Sequence, residues 1–174
     1  MSQRQDTTQK NPIVSSEHLS HQAEELSEFE FGLTMASHAF NRWIVRCMTA
    51  ANVHELSALD ILVLHSVNHR KRAKRQNDLC LVLNVEDAHT VTYALKKLLK
   101  HGLVSTEKRG KEMFYSITSQ GQQACLRYAE IRESCLIDSL ESLGLGRDDL
   151  HKAAGMLRTL SGLYDQAARA AATL

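Results

Sequence analysis

Proline and aromatic residues are scarce in this chain of 174 residues: Pro12 is the only proline, and Phe, Trp and Tyr together make up 5%. Because proline interrupts helices and aromatic residues favour strands, this composition indicates one mainly helical domain with a small sheet. No apolar run approaches the roughly 18 residues that a membrane-spanning helix needs. Residues 1–16 also lack the apolar core of a secretory signal, so we expect a cytoplasmic protein without a membrane partner.

The chain also lacks the short motifs of common catalytic and metal sites. It contains no G-x-S-x-G, P-loop, H-E-x-x-H or G-x-G-x-x-G sequence, so we expect no enzymatic activity and no cofactor. His65 and His69 have the spacing of a helical metal site, but no third ligand lies nearby in the sequence, and no metal is predicted.

The chain has four cysteines, and in the cytoplasm we expect them to be reduced thiols: Cys47, Cys80, Cys125 and Cys135. Because none of them forms a C-x-x-C pair, we expect no structural zinc site. Core packing is the favoured role for all four. Oxidant sensing is the alternative for Cys47 and Cys80.

Positive charge is concentrated in the middle of the chain, although the net charge is only +1. Between Arg70 and Lys111 there are eleven Lys and Arg against four Asp and Glu, a net charge of +7, and the rest has ten against sixteen. Such segregation is typical of a nucleic-acid-binding module inside a larger scaffold. A solvated basic surface without a ligand is the alternative.

A long amphipathic helix is predicted to begin at Ser27, which has the spacing of a capping box with Glu30, or a turn or two earlier. Apolar residues follow at alternating intervals of four and three: Phe29, Leu33, Ala36, Phe40, Trp43 and Cys47. Phe31, Met35, Ile44 and Met48 form a second apolar face. Since a helix that is apolar on two sides must be buried on two sides, a partner subunit is predicted.

A second stripe with the same spacing occurs near the C-terminus: Leu150, Ala153, Leu157, Leu160, Tyr164 and Ala167. The two stripes together predict a homodimer. Its interface is expected to include Phe29, Leu33, Phe40, Trp43, Leu157, Leu160 and Tyr164. For Trp43 and Tyr164 the alternative role is to line the pocket of a small-molecule effector.

Between the two stripes the pattern predicts three helices. Ser57 caps the first, over residues 58–68, and a basic loop leads to a short helix over about 76–83. Asn84 tolerates a left-handed turn into a further helix over about 87–101, which Gly102 terminates.

The hydrophobic period then changes from about 3.6 to two. Residues 103–108 and 113–118 are predicted to form a β-hairpin, with Gly110 in its turn. Ser119 is predicted to cap a helix that continues to about residue 143, and Gly144 and Gly146 interrupt it.

The order helix, helix, turn, helix and hairpin predicts a winged helix-turn-helix with flanking dimerisation helices. We divide the chain into a disordered or partly helical segment (1–26), a dimerisation helix (27–54), a DNA-binding domain (55–118) and C-terminal dimerisation helices (119–174). An α-helix fits the major groove of double-stranded DNA, and a hairpin places cations on the backbone or in the minor groove. The predicted DNA contacts are His89, Thr90, Thr92, Tyr93, Lys96, Lys97, Lys100, Lys108, Arg109, Lys111, Arg72 and Arg75.

Three stretches in this region resemble the MarR family of transcription regulators. They are Leu56-Ser57; Thr90-Val91-Thr92 followed by Leu98-Leu99-Lys100-His101-Gly102-Leu103-Val104; and Ile117-Thr118-Ser119-Gln120-Gly121. The likeness extends over residues 28–174 in the family's order. It implies a homodimer that reads the half-sites of a DNA operator with the helix over 87–101, and we expect a repressor of one or a few promoters. A small-molecule effector is a further candidate partner.

The chain departs from the family pattern at the wing and at the turn before the recognition helix. The Asp-x-Arg that the family usually carries is absent from the short wing, where Arg109 is the substitute for a minor-groove arginine. The turn over residues 84–88 is one residue longer than is usual in the family. The side chains that read bases are therefore expected to be shifted by one position along the recognition helix. A winged helix that binds only proteins is the alternative function, although such a module has no need for these cations.

Overall fold

The computed structural model describes residues 24–144 and 146–174. Four helices come first: α1 (Glu24–Ala50), α2 (Ala58–Asn68), α3 (Gln76–Leu83) and α4 (Ala88–Lys100). Strands β1 (Val104–Arg109) and β2 (Glu112–Ile117) pair antiparallel. Helix α5 (Ser119–Arg132) continues through a π-helical segment (Glu133–Ile137) into α6 (Asp138–Ser142), and α7 (Arg147–Ala171) follows. The predicted helical fold with a β-hairpin wing is confirmed. Most of the segment predicted to be disordered lies outside the described residues.

Local side-chain chemistry sets the ends of the middle helices. Ser57 accepts a hydrogen bond from the Asp60 amide, and the Asp60 carboxylate accepts one from the Ser57 amide at 2.7 Å. This capping box begins α2 at its predicted residue. Asn84 ends α3 in the left-handed conformation, with φ of 51°, and Asp87 caps α4 by accepting a bond from the His89 amide.

Ser27 does not cap α1, because the helix is already formed at Glu24, about one turn earlier, which agrees with the earlier start that the sequence also allowed; the Ser27 side chain is buried. At α5 the cap is Thr118 rather than Ser119, because the Thr118 hydroxyl accepts the Gly121 amide at 3.0 Å. That hydroxyl also donates to the Gly102 carbonyl at 2.7 Å, so the same residue joins the end of the wing to the end of α4.

The hydrophobic core lies between α1, α2, α4 and α5. Its fully buried side chains include Ile44, Met48, Ile61, Leu64, Leu79, Val91, Leu95 and Leu98. Cys47 was expected on the dimer stripe, but it is buried in this core, where its thiol donates to the Tyr128 carbonyl at 3.5 Å. The C-terminal part of α1 therefore belongs to the winged-helix core, because α2 and α5 pack against its apolar face.

Gly121 allows α5 to approach the base of the wing closely. A Cβ atom at this position would collide with the carbonyl oxygen of Leu103 and lie 2.6 Å from Ile117 Cδ1. Any larger residue would push α5 away from the wing, which gives a physical reason for glycine in the motif that follows β2.

Lys74 joins the wing to the helix-turn-helix. Its backbone exchanges two hydrogen bonds with Tyr115 of β2, at 2.9 and 2.8 Å. Its buried ammonium group donates to the Val67 carbonyl in the last turn of α2 and to the carbonyls of His69 and Arg72 in the segment that follows. Burial, and the nearby charge of Arg72, lower the pKa of Lys74.

Helix α7 is the least buried long element of the described chain. None of its side chains is buried, and four large apolar ones are exposed: Leu150, Met156, Leu157 and Leu163. Its polar side touches the turn after α3, where the Asn84 amide donates to the Asp165 carboxylate at 3.3 Å. No helix within residues 24–144 and 146–174 has the length and apolar character to span a membrane.

Candidate nucleic-acid interface

Helix α4 presents a polar face opposite a fully buried one. Val91, Leu95 and Leu98 are 0–1% exposed and hold the helix on the core. On the other side Tyr93 is 70% exposed, and His89, Lys96 and Lys100 are also exposed. The Lys96 ammonium group lies 5.8 Å from the centre of the Tyr93 ring. This face combines hydrogen-bonding groups toward the N-terminal half with cations toward the C-terminal half.

The two threonines of α4 are partly occupied by intramolecular hydrogen bonds. Thr90 is half-buried, and its hydroxyl donates to the Asp87 carbonyl at 2.7 Å. Thr92 donates to the Ala88 carbonyl and accepts the side-chain amide of Gln76 at 2.8 Å. Thr92 therefore faces α3, and its predicted DNA contact is not favoured by this geometry.

Gln76 is a residue that sequence reasoning missed. Its side-chain amide also donates to the Ala88 carbonyl at 2.8 Å, so it bridges the first turn of α3 and the first turn of α4. A polar residue at the start of α3 was visible in the sequence, but its partners lie 12 and 16 positions away. Gln76 sets how the recognition helix is held.

Lys97 is the one predicted cation of α4 that forms an ion pair among the described residues. Its ammonium group lies 3.1 Å from the Asp60 carboxylate, whose side chain is 8% exposed. The pair joins α4 to the start of α2. A phosphate contact by Lys97 stays a prediction, and it would compete with this buried carboxylate.

The wing ends in a cluster of exposed charges. Arg109 donates to the Glu107 carboxylate at 2.7 and 3.0 Å, and its guanidinium group lies 4.8 Å from the centre of the Phe114 ring. Because the charged arginine hydrogen-bonds the carboxylate, the pKa of Glu107 is lowered. Lys108 and Lys111 are exposed and have no ion-pair partner among the described residues. Three cations therefore surround the hairpin turn, where Gly110 has φ of 62°.

Arg75 links the start of α3 to the wing. It pairs with Asp78 at 2.9 Å and with Glu112 at 3.1 Å, and hydrogen bonds to these carboxylates raise its pKa. Arg72 is exposed and unpaired within the described part of the chain, in the loop before α3. Of the two arginines predicted to contact DNA here, only Arg72 forms no direct ion pair in the described residues.

The residues predicted to form the dimer interface differ in their solvent exposure. Phe40 and Leu157 are 50% and 43% exposed, whereas Trp43 packs partly against the core. Phe29, Leu33 and Leu160 are half-buried. The Tyr164 hydroxyl donates to the Glu30 carboxylate at 3.1 Å, so α7 contacts the N-terminal part of α1 within one chain. Their joint role in a dimer stays a prediction.

The cysteines and histidines are distributed through the fold. Burial raises the pKa of the Cys47 thiol and raises that of Cys125 to about 11. Cys80 is half-buried against the core and Cys135 is exposed. In the described residues no three His, Cys, Asp or Glu side chains come together as a metal site requires. His65 instead packs edge-on against the Tyr128 ring, with centroids 4.5 Å apart.

An exposed polar helix held by a helix-turn-helix core, beside a basic hairpin, defines a winged helix DNA-binding domain. Residues 56–121 match the family of that description, so this domain is present in the chain. No curated protein matches the chain in sequence.

Solved structures with the same fold include regulators of the MarR family. A mutant MarR from E. coli complexed with operator DNA has a TM-score of 0.65 at 18% identity, covering 81% of this chain and 99% of its own. Reduced AbfR bound to DNA has a TM-score of 0.66 at 19% identity, covering 82% and 96%. A MarR-family transcription regulator has a TM-score of 0.65 at 13% identity, covering 87% and 98%. The chain therefore has the fold of MarR-family transcription regulators, and the resemblance expected from its sequence is confirmed at that level.

Proposed function

We propose that this protein is a sequence-specific transcription regulator that binds double-stranded DNA as a homodimer. The observation that carries the proposal is the two-sided character of α4. Its inner face is fixed in the core, while Tyr93, His89 and Lys100 project from its outer face next to a wing with three cations. Two proteins of the same fold are bound to DNA in their solved structures, which supports this assignment.

The roles of the residues follow from where DNA carries charge and where it carries sequence information. His89 and Tyr93, on the N-terminal half of α4, are placed to meet base edges in the major groove. Lys96 and Lys100 lie farther along the helix and are assigned to phosphates, which position the protein without reading sequence. Arg109 at the wing is assigned to the minor groove, where narrow A·T tracts concentrate negative potential.

A homodimer is part of the proposal because α7 exposes apolar side chains that one chain leaves uncovered. Leu157 on α7 and Phe40 on α1, which are 43% and 50% exposed, belong to the two stripes that we assign to the interface. Burying two such helices per subunit suits the large, apolar interface of an obligate dimer. Repression of one or a few promoters is the regulatory role that we favour.

Selection of bound duplexes from a random pool tests the proposal. A dimeric reader should enrich an inverted repeat whose half-sites are about one helical turn apart. On the selected site, Tyr93→Ala should reduce affinity roughly 5- to 150-fold, which corresponds to about 1–3 kcal/mol, and should have much less effect on random DNA. Lys100→Ala should weaken both DNAs and lower the salt slope by about one.

Lys152→Ala is the matched control, because Lys152 is an exposed lysine on α7 rather than on α4. It should leave both affinities unchanged. If no sequence is enriched and affinity shows no salt dependence, the winged helix does not bind DNA. The protein-interaction function would then replace it.

A further inference from the structure

Three hydrogen bonds between Gln76, Ala88 and Thr92 join the first turn of α3 to the first turn of α4, and we call them the Gln76 triangle. The Gln76 side-chain nitrogen Nε2 donates to the Ala88 carbonyl and to the Thr92 hydroxyl, both at 2.8 Å. The Thr92 hydroxyl in turn donates to the Ala88 carbonyl at 3.0 Å. Because a carbonyl oxygen only accepts, the amide nitrogen of Gln76 faces it, and both amide hydrogens are used within the protein.

The start of α3, which carries Gln76, is itself attached to the wing. The Arg75 guanidinium group binds both oxygens of the Asp78 carboxylate, at 2.9 and 3.2 Å, and a further hydrogen bond of 3.1 Å joins it to Glu112 of β2. Such a two-pronged pair fixes geometry as well as contributing energy. The backbone of Lys74 also pairs with β2. The Gln76 amide therefore projects from a helix end whose position is set by its neighbours.

The Gln76 triangle fixes the placement of α4 more closely than apolar burial does. Leu79 of α3 and Val91 of α4 are both fully buried in the core. Burial of apolar surface is non-directional, whereas a hydrogen bond weakens steeply when donor and acceptor are misaligned. A small rotation or slide of α4 would keep its inner side chains in the core but would break the bonds to Gln76.

The residues assigned to base edges lie next to the Gln76 triangle. His89 directly follows one of its corners in the sequence, and Tyr93 directly follows another. Both side chains are exposed, whereas Gln76 is half-buried. Side chains that form a binding site have to be held to within about 0.5 Å of the productive geometry. A shift of the first turn of α4 would displace His89 and Tyr93 together.

We propose that Gln76 is a positioning residue that sets the sequence specificity of the whole recognition helix without contacting a base. The proposal rests on the DNA-binding function proposed above. A residue that reads a base affects the base pair it contacts, and a residue that binds phosphate affects every DNA equally. Loss of a positioning residue differs from both, because it reduces discrimination at every base pair that α4 reads.

Competition selection, with sequencing of the bound duplexes, tests the proposal on the wild type and on Gln76→Ala. In the wild type each base pair read by α4 should discriminate against the wrong base roughly 5- to 150-fold. Gln76→Ala should lower this discrimination by about two- to tenfold at every such pair, the range that one neutral hydrogen bond is worth. Alanine is a strong helix former, so the variant should fold, and thermal unfolding verifies this.

Asn77→Ala is the matched control. Asn77 is the next residue of α3, and its exposed side-chain amide has no hydrogen-bond partner in the part of the chain that the structure describes. Its removal should leave the discrimination at every base pair unchanged.

Thr92 supplies a second set of variants. Thr92→Val keeps the shape of the side chain but removes the hydroxyl that accepts the Gln76 amide, so it should also lower discrimination at several base pairs. Thr92→Ser keeps the hydroxyl and should retain the wild-type profile. In the double variant of Gln76→Ala and Thr92→Val the two losses should not multiply, because both substitutions break the same contact.

Amide hydrogen exchange on the free protein tests the same contact without DNA. Gln76→Ala should speed exchange in the N-terminal half of α4 by about fivefold, since one hydrogen bond that closes this turn is lost. The C-terminal half, where Leu95 and Leu98 are buried in the core, should exchange as in the wild type.

The proposal is wrong if Gln76→Ala changes discrimination at a single base pair, because Gln76 would then be a base contact. It is equally wrong if all DNAs weaken by the same factor, if discrimination is unchanged, or if exchange in α4 is unaffected. Failure of the proposed DNA-binding function shows instead in the wild type, which would then enrich no sequence.

Discussion

The ammonium group of Lys97 on the recognition helix lies 3.1 Å from the carboxylate of Asp60, which is itself part of the capping box that begins α2. One carboxylate thus stabilises the start of one helix and attaches the middle of another. Asp60 is almost completely buried, whereas Lys97 is about one-third exposed. A charge that the sequence assigns to DNA therefore also has a structural role.

Lys97→Ala should lower the free energy of unfolding by about 1–2 kcal/mol, because it leaves a buried carboxylate without its cation. Urea denaturation measures this change. Lys96→Ala is the matched control, since Lys96 is exposed and its ammonium group lies over the Tyr93 ring, and it should change stability by no more than about 0.5 kcal/mol. Equal effects of the two variants would show that the Asp60 pair is not stabilising.

The affinity of the wing for DNA should depend on Arg109 and on the carboxylate of Glu107 that pairs with it. Arg109→Ala should lower affinity most for sites with A·T-rich flanks, because the narrow minor groove there attracts an inserted arginine. Glu107→Gln should raise affinity, since it releases Arg109 from a bond of 2.7 Å and removes an anion from the DNA-facing hairpin. Anisotropy titrations on A·T-flanked, G·C-flanked and random duplexes measure both effects. If Arg109→Ala weakens all three equally, this arginine contacts only phosphate.

The dimer should depend on one face of α7. Leu157→Asp places a charge in the proposed interface, where desolvation is costly, and should yield monomers with greatly weakened operator binding. Light scattering gives the mass of the particle. Gln166→Asp is the control, because nine residues along a helix place it on the face opposite Leu157. A wild-type monomer at micromolar concentration, or a Leu157→Asp dimer, would contradict the proposed interface.

Stability should fall as the solution becomes acidic, and His65 should contribute to the fall. Burial lowers the pKa of His65 below the ordinary value of 6.5. Below about pH 6.5 the unfolded chain therefore binds a proton that the folded chain does not, so this contribution is present at neutral pH and is lost as the pH falls. The slope from one such group reaches at most about 1.4 kcal/mol per pH unit.

His65→Phe keeps an aromatic ring against Tyr128 and should flatten the dependence of unfolding free energy on pH between 7 and 5. His54→Phe changes an exposed histidine and should retain the wild-type dependence. Parallel curves for wild type and His65→Phe would show that His65 does not titrate differently in the two states.

The buried thiols should be unreactive. Burial raises the pKa of Cys125 to about 11 and also raises that of Cys47, so little of the reactive thiolate is present at neutral pH. Mass spectrometry after iodoacetamide treatment should find both unmodified in the native protein and modified in urea. Peroxide should leave DNA affinity nearly unchanged. Release of DNA by peroxide, prevented by Cys47→Ser, would instead make Cys47 an oxidant sensor.

The sequence by itself determined the middle of the fold, because those signals act over a few residues. A Ser57 hydroxyl reaches an amide three positions away, Asn84 accepts a left-handed backbone, and the change of period at residue 103 follows from the alternation of a strand. The outward face of α4 was predicted in the same way, since helical spacing assigns Tyr93 and Val91 to different sides.

Only the tertiary structure decided which partners these side chains have. Lys97 looked free in the sequence, and its carboxylate lies 37 positions earlier on another helix. Cys47 fitted the spacing of an interface stripe, but packing of α5 across α1 buries it beside Tyr128, 81 positions later. The hydrogen bond from Gln76 to Thr92 likewise exists only because α3 and α4 begin side by side. Periodicity tells which residues share a face, whereas burial and charge pairing depend on the other elements that the chain brings against that face.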